Sequence, residues 1–542
     1  MYGPAMRRRV LFSAAAVLVG TAACTSILGD FTVGNGATGT DASVTGDAPA
    51  DLDGNMLVDG AAAGFKLERP ALVSIVRGAS ASIEVDVVRT AFDAEIALTI
   101  ADLPMGITVV APRTTTINLT KGASHASFPI SAAANSALGQ FQVKVTATSA
   151  GVASQTDNFV LQCADPPGSI DLTFGGSGVK ALAGAQADAV VVQASGAVVV
   201  GGGDGTAARV LRYAVDGTDD TAFNGKIAAS LPGAGSARVR ALATRTLVPT
   251  NPQIVVAGNT PSPHFFVQVY NQDGSLDTTF NTGIFEIPSS GTQAYAVAVD
   301  SQQRIVAVGA NTTTPGPIGR RFAANGTATG LSFPTVPAAY AGATLSPRAV
   351  VVGANDDLWI AGALLGANNH AFLVHLNPAL QPDAGFGTGG IVVLGPDSNY
   401  YEAWAMARFP SGELGIAGTD GTSKASYGVV TPGGARPFAV DGGMLQVGHG
   451  TLYDFGYRGA AMQADGKIIL AGGRGSNTKE HPFYERRYLD GGVDLIADSG
   501  TVDYINGAPS SSEWHAAATT PGGRIVLAGV DDAGWIVARY WP

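Results

Sequence analysis

The sequence predicts an all-β chain in which a β-sandwich precedes a seven-bladed β-propeller, with a disordered tether at the N-terminus. Three observations carry this reading. First, an apolar triplet followed by one more small or apolar residue and Gly occurs seven times. The strings end at Gly202, Gly258, Gly309, Gly362, Gly418, Gly472 and Gly529, at intervals of 51 to 57 residues. A period of that length with no helical pattern inside it points to propeller blades. Second, the chain has 72 Gly in 542 residues and only 14% charged residues, against usual shares of about 7% and about 25%. That composition excludes coiled coil, helical bundle and a chain disordered throughout. Third, residues 65–163 alternate Val, Ile and Thr with small and polar residues in short runs separated by turns, the sandwich pattern. A net charge of −11 leaves no basic footprint for nucleic acid, which is not expected as a partner.

At the N-terminus, Arg7, Arg8 and Arg9 precede an apolar run over residues 10–23, shorter than the about 20 residues that span a bilayer. Basic, apolar and then small residues are the layout of a secretory signal. The run closes as "GTAAC", which resembles the lipobox of bacterial lipoproteins, with Thr21 where Leu is usual. The resemblance implies a signal peptide over residues 1–24, lipidation of Cys24 and anchoring to a membrane of the cell envelope. Thr25 after the Cys resembles lipoproteins sorted to an outer membrane or the cell surface. If Cys24 is lipidated, Cys163 has no partner in the chain, and no disulfide framework is expected. Residues 25–64, rich in Gly, Ala, Thr and Asp, read as a flexible acidic linker. Within them "GNGATG" lacks the strand and helix of a dinucleotide site, and Asp51, Asp53, Asn55 and Asp59 lack the bidentate Glu of a calcium loop.

Residues 65–163 hold the runs "ASIEVDVVR", "EIALTIADL", "TTTINLT", "HASFPISA" and "GQFQVKVTATS". About seven strands in about 100 residues fits an immunoglobulin-like module, and the segment resembles bacterial Ig-like domains of surface proteins and lipoproteins. Such a module is a spacer by default. His125 reads as a surface residue of one strand.

Residues 167–542 carry the repeat. Each copy runs small apolar residues, a turn, the triplet string, a loop and a strand such as "VLRY" or "VARY", giving about four strands per copy. The better-preserved copies then add Asp and Phe, as in "GSIDLTFGGSG", "GTDDTAFNG", "GSLDTTFNTG" and "QPDAGFGTGG". "DGSLDTTFNTG" and "QADGKIILAGG" resemble the delta-60 repeat of bacteria, which implies β-propeller blades. "GLSFP", "ARPFAV" and "GGVDLIAD" lack the Asp-x-x-Phe string, so blade edges are undefined there. The chain ends at "GWIVARYWP" where one more outer strand is needed, and the array begins with that strand. Closure of the ring predicts that residues 179–182 lie beside residues 535–540.

No G-x-S-x-G elbow, P-loop or H-E-x-x-H is present, so catalysis is not expected, and neither is a cofactor. His370 and His375 lack matching ligands for a metal, and none is expected. The pairs Asp219/Asp220, Asp356/Asp357 and Asp531/Asp532 read as solvated turn residues. One register stands out. Ten residues before each triplet, allowing four inserted residues in the second copy, stand Asp188, Arg240, Tyr295, Arg348, Trp404, Arg458 and His515 among Ala, Val and Met neighbours. That rung would ring one mouth of the channel and bind an anionic or sugar-like ligand by charge-assisted hydrogen bonds and stacking.

Two functions follow. The first is a lipid-anchored envelope protein that presents its propeller to a surface protein, polysaccharide or other ligand without catalysis. The alternative is a hydrolase or lyase of envelope or extracellular polysaccharide with its site at the propeller mouth, which rests on fold analogy.

Overall fold

The computed structural model describes residues 63–542 except 71, 233–234, 396–399, 421–423, 438–442, 448–452, 477–478, 495–511 and 533. The signal peptide, Cys24 and nearly all of the linker lie outside the described residues. Among the described residues no helix is long and apolar enough to cross a membrane.

Among the described residues the first part contains nine strands rather than about seven, because Gly64–Glu68, Leu72–Val76, Ile107–Val109 and Val152–Ala164 pair alongside the five quoted runs. They form a four-stranded and a five-stranded sheet. Alternation decides which residues turn inward: Ser80–Thr90 buries Ile83, Val85 and Val87 and exposes the residues between them. The buried sets of both sheets meet in one apolar core with Phe128, Leu161 and the free thiol of Cys163. His125 lies on the exposed face between Glu84 and Asp86.

Seven further sheets follow among the described residues. Their innermost strands are Gln186–Val192, Arg238–Val248, Thr292–Val299, Thr344–Val352, Glu402–Arg408, Tyr453–Met462 and Glu513–Thr519. Each packs against the next, and the last against the first, so the series closes on itself. The triplet strings form the second strand of every sheet, for example Val198–Gly203 and Ile305–Asn311. They are apolar without alternation because both faces of each sheet are covered. Val199 packs toward the second sheet with Ile254 and Val256, whereas Val198 and Val200 pack toward the seventh with Val526 and Val537.

Closure has the predicted form. Val179–Ala183 pairs antiparallel with Gly534–Tyr540, with Val179 opposite Ala538 and Leu182 opposite Trp535. The segment leading into it is clasped by fully buried Asp171, which accepts from Arg539 Nε at 2.7 Å and faces Arg524 Nε at 2.8 Å. The same device explains the Asp-x-x-Phe string. Asp220 binds Arg212 and Asp383 binds His375, Phe174, Phe223, Phe280 and Phe386 are buried, and Asp494 binds Arg486 in the same way in a copy without the Phe.

Two expectations are corrected. Four strands per copy fails in the first sheet, where the α-helix Thr221–Ala228 stands after the third strand; Asp220 caps it by accepting from Phe223 N at 3.1 Å, and Phe223 and Ile227 bury one side. The paired aspartates are not all solvated turn residues. Asp356 is buried and binds Ser301 and Gln302, and Asp357 holds His375, because short turns place these carboxylates over neighbouring donors.

The seven repeat glycines have one physical reason. Each inner strand carries a β-bulge opposite its glycine: the register slips between Ala187 and Ala189 opposite Gly202, between Ala294 and Ala296 opposite Gly309, and likewise in all seven sheets. The bulge turns the carbonyl two residues before the extra residue toward the glycine, so that a methyl group on Gly202, Gly258, Gly309, Gly362, Gly418, Gly472 or Gly529 would overlap that oxygen. Gly309→Ala is therefore expected to lower stability by about 1–3 kcal/mol. Gly225→Ala, exposed in the helix with open space around it, should be neutral or stabilise by up to about 1 kcal/mol. Chemical denaturation of both variants measures the contrast, and equal stabilities would contradict it.

Candidate functional site

The extra residue of each bulge is the residue singled out by register: Asp188, Arg240, Tyr295, Arg348, Trp404, Arg458 and His515. A bulge re-aims the side chain it carries. Here all seven are turned to one cavity of about 310 Å³, together with Gln186, Arg238 and Glu513. The next residue of each strand is Ala189, Ala241, Ala296, Ala349, Ala405, Gly459 or Ala516, and these line a channel of about 200 Å³ that continues from the same ring. Small residues are needed there because the strands converge; a methyl group on Gly459 would press on the backbone of Ala516.

Every seam between neighbouring sheets is bridged at this level. Between the first and second sheets, Arg238 donates through Nε and Nη2 to Asp188, the latter at 2.5 Å. Arg240 and Arg348 lie over the Tyr295 ring at 5.8 and 4.5 Å from its centroid, and Arg348 and Arg458 lie over Trp404 at 4.2 and 4.3 Å. Arg458 Nε is 3.8 Å from Glu513. His515 closes the circle: Nε2 donates to Glu513 at 2.8 Å and Nδ1 to the Ala187 carbonyl at 2.8 Å, with Asp188 at 3.3 Å. Guanidinium groups lie over both the Trp404 and the Tyr295 ring, so these aromatics hold the arginines in place.

The electrostatics follow. Burial opposes the charge on His515, but hydrogen bonds to Asp188 and Glu513 and their negative charge outweigh it, and its pKa is pushed up to about 9. Burial likewise works against both carboxylates, yet His515 with Arg238 holds Asp188 below the usual range, and His515 with Arg458 does the same for Glu513. Burial pulls Arg240 below the usual guanidinium value. Five cations therefore face two carboxylates, an excess of three positive charges inside a chain of net charge −11.

Gln186, Arg238 and Glu513 do not stand out in the sequence. Each stands two residues before a bulge residue, so the readable signal is a second rung in the same register. His370 and His375 are not brought together as a pair. His375 stacks on Trp359 at 3.8 Å between Asp357 and Asp383, and His370 packs edge-on against Tyr340. Among the described residues no group of three or more ligating side chains is placed to hold a metal.

No protein-family model and no curated protein matches the chain. Among solved structures it is similar to a luciferin-regenerating enzyme, 8% identical, covering 54% of this chain and 87% of that chain with a TM-score of 0.30. A likeness that loose carries no argument.

His515 gains proton affinity on folding, since its pKa rises from 6.5 to about 9. The stability it contributes is fully present below about pH 6.5 and lost as pH rises through about 9. Imidazole NMR titration should place one histidine near 9, and that resonance should vanish in His515→Gln. A midpoint at or below 6.5 for His515 would contradict the clasp.

Proposed function

We propose that the chain is a lipid-anchored envelope protein whose immunoglobulin-like sandwich and linker present a seven-bladed β-propeller of delta-60-like repeats, and that the propeller mouth binds an anionic ligand without transforming it. The observation that carries this reading is the cationic ring. Arg240 and Arg348 have no carboxylate at ion-pair distance among the described residues, and Arg240 is half-buried. Arg348 Nε and Trp404 Nε1 are buried polar atoms without a hydrogen-bond partner, and such atoms call for one. An oxyanion beside Arg240, Arg348 and Arg458 would supply acceptors and offset the excess charge.

The chemistry of the mouth speaks against glycoside hydrolysis. That reaction needs one carboxyl kept protonated as the general acid. The two carboxylates of the mouth are both held ionised and committed to His515 and arginines. The lipid anchor rests on the Cys24 sequence, and labelled-lipid incorporation into wild type but not Cys24→Ala would support it.

Inorganic sulfate is the simplest probe of the mouth. Arg348→Ala should weaken its binding by roughly tenfold, the worth of one charge-assisted hydrogen bond. Arg113→Ala, on an exposed loop of the first part, should leave it unchanged. Isothermal titration measures both, and equal sulfate affinity for wild type and Arg348→Ala would sink the proposal.

A further inference from the structure

The mouth does not end at the ring. A second cavity of about 390 Å³ shares Gln186, Arg238 and Arg240 with it and runs outward between the first and second sheets, past Gly184, Gly203, Asp204 and Ser236. Its origin lies in how the ring closes. The closing strand ends at Ala183 and the first inner strand begins at Gln186, so Gly184 and Ala185 alone join them. Elsewhere a full loop, such as residues 331–343, leads into the inner strand. Gly184 takes a positive φ of 70° for the tight turn, and the space where side chains of Gly184 and Gly205 would lie is open.

Two properties of this groove restrict what it holds. The mouth already accounts for one acidic group, and the groove adds volume of the same order beside it, which suits a chain more than a compact anion. The groove is lined by Gly and Ala together with polar side chains, and it has no apolar side chain larger than Ala. Peptide hot spots are commonly aromatic or aliphatic anchors in pockets, which this groove does not provide; a hydroxyl-rich chain needs none. Asp204 is itself fixed by Thr206 Oγ1 at 2.6 Å and by Arg209 Nε at 2.7 Å, so it offers a positioned acceptor rather than a free charge.

We propose that the anionic ligand of the mouth is the acidic end of an oligosaccharide, whose following sugars leave through this groove. The inference rests on the mouth reading above. The acidic group, a carboxylate or sulfate, sits beside Arg240, Arg348 and Arg458, and the neutral sugars meet Gln186, Ser236 and the glycine-lined wall.

The test uses the full chain and three probes: glucuronate, a tetrasaccharide in which one terminal glucuronate is joined to three neutral sugars, and an acidic pentapeptide. The tetrasaccharide is expected to bind roughly tenfold tighter than glucuronate. Ser236→Trp, which fills the groove at an exposed position, is expected to bring the tetrasaccharide down to the affinity of the monosaccharide. Equal affinity of wild type for the two sugars, with both weakened by Arg348→Ala, would overturn the chain and leave the mouth reading intact. Failure of both sugars to bind a chain that still binds sulfate would overturn the oligosaccharide and leave the mouth reading intact, whereas failure of sulfate as well would overturn both. A pentapeptide that gains as much as the tetrasaccharide, and loses it in Ser236→Trp, would overturn the assignment to a glycan.

Discussion

One steric constraint organises this molecule: in each of the seven sheets a backbone carbonyl occupies the place where a side chain would start on the second strand. Only glycine leaves that room, at Gly202, Gly258, Gly309, Gly362, Gly418, Gly472 and Gly529. The carbonyl is there because the inner strand bulges, and the bulge puts one extra residue per sheet toward the centre. Glycine, bulge and ring of side chains are therefore one device repeated seven times. Without the glycine the extra residue has nowhere to go, and the inner strand would pair in regular register with its side chain turned elsewhere.

What the ring does with the seven positions depends on their chemistry. Neighbouring sheets are glued below by apolar clusters, one for each seam, and above by a charged or cation–aromatic contact across each seam. The contacts run through Arg240, Tyr295, Arg348, Trp404 and Arg458 as an alternating ladder. They finish through Glu513, His515, Asp188 and Arg238, where the seventh sheet meets the first and the first meets the second. The seam that must join residues distant in sequence is the one that receives the carboxylates and the charged imidazole. His515 and Arg238 offset the two carboxylates, and the arginines of the ladder keep the surplus charge. Buried like charges repel, so a ring holding such a surplus inside an acidic chain is poised for an anion.

Much of this is legible in the amino-acid sequence. The period of the triplets locates the second strand of every sheet, because a strand covered on both faces must be apolar throughout. The ends of the array predict the pairing of Val179 with its partner strand, because a ring has no free edge. The register of Asp188 through His515 is visible as polar residues at a fixed offset in otherwise small, apolar strands. The cause of that offset is not visible: a bulge leaves no mark on the inner strand itself, and its trace is the glycine of the second strand, which the repeat displays without its reason. Residues two positions earlier escape notice because only Gln186, Arg238 and Glu513 reach the cavity, while of their counterparts Ser346 and Gly456 are too small, Glu402 accepts from Asn369 instead, and Gln293 is also absent from the lining. The helix Thr221–Ala228 is hidden since eight residues with two buried positions carry too little periodicity against seven copies of a β pattern. The pairing of aromatic rings with guanidinium groups lies beyond composition, because it depends on which sheets become neighbours.

The glycine sets the aim of the bulge residue, and this link is open to direct measurement. Gly418 lies outside the cavity, opposite the bulge that carries Trp404. Sulfate affinity of Gly418→Ala, measured by titration at a temperature where circular dichroism shows the variant folded, is the decisive quantity. Displacing the Trp404 bulge should release Arg348 and Arg458 from its ring and weaken sulfate binding several-fold. A folded Gly418→Ala that binds sulfate as tightly as wild type would contradict the link between glycine, bulge and ring.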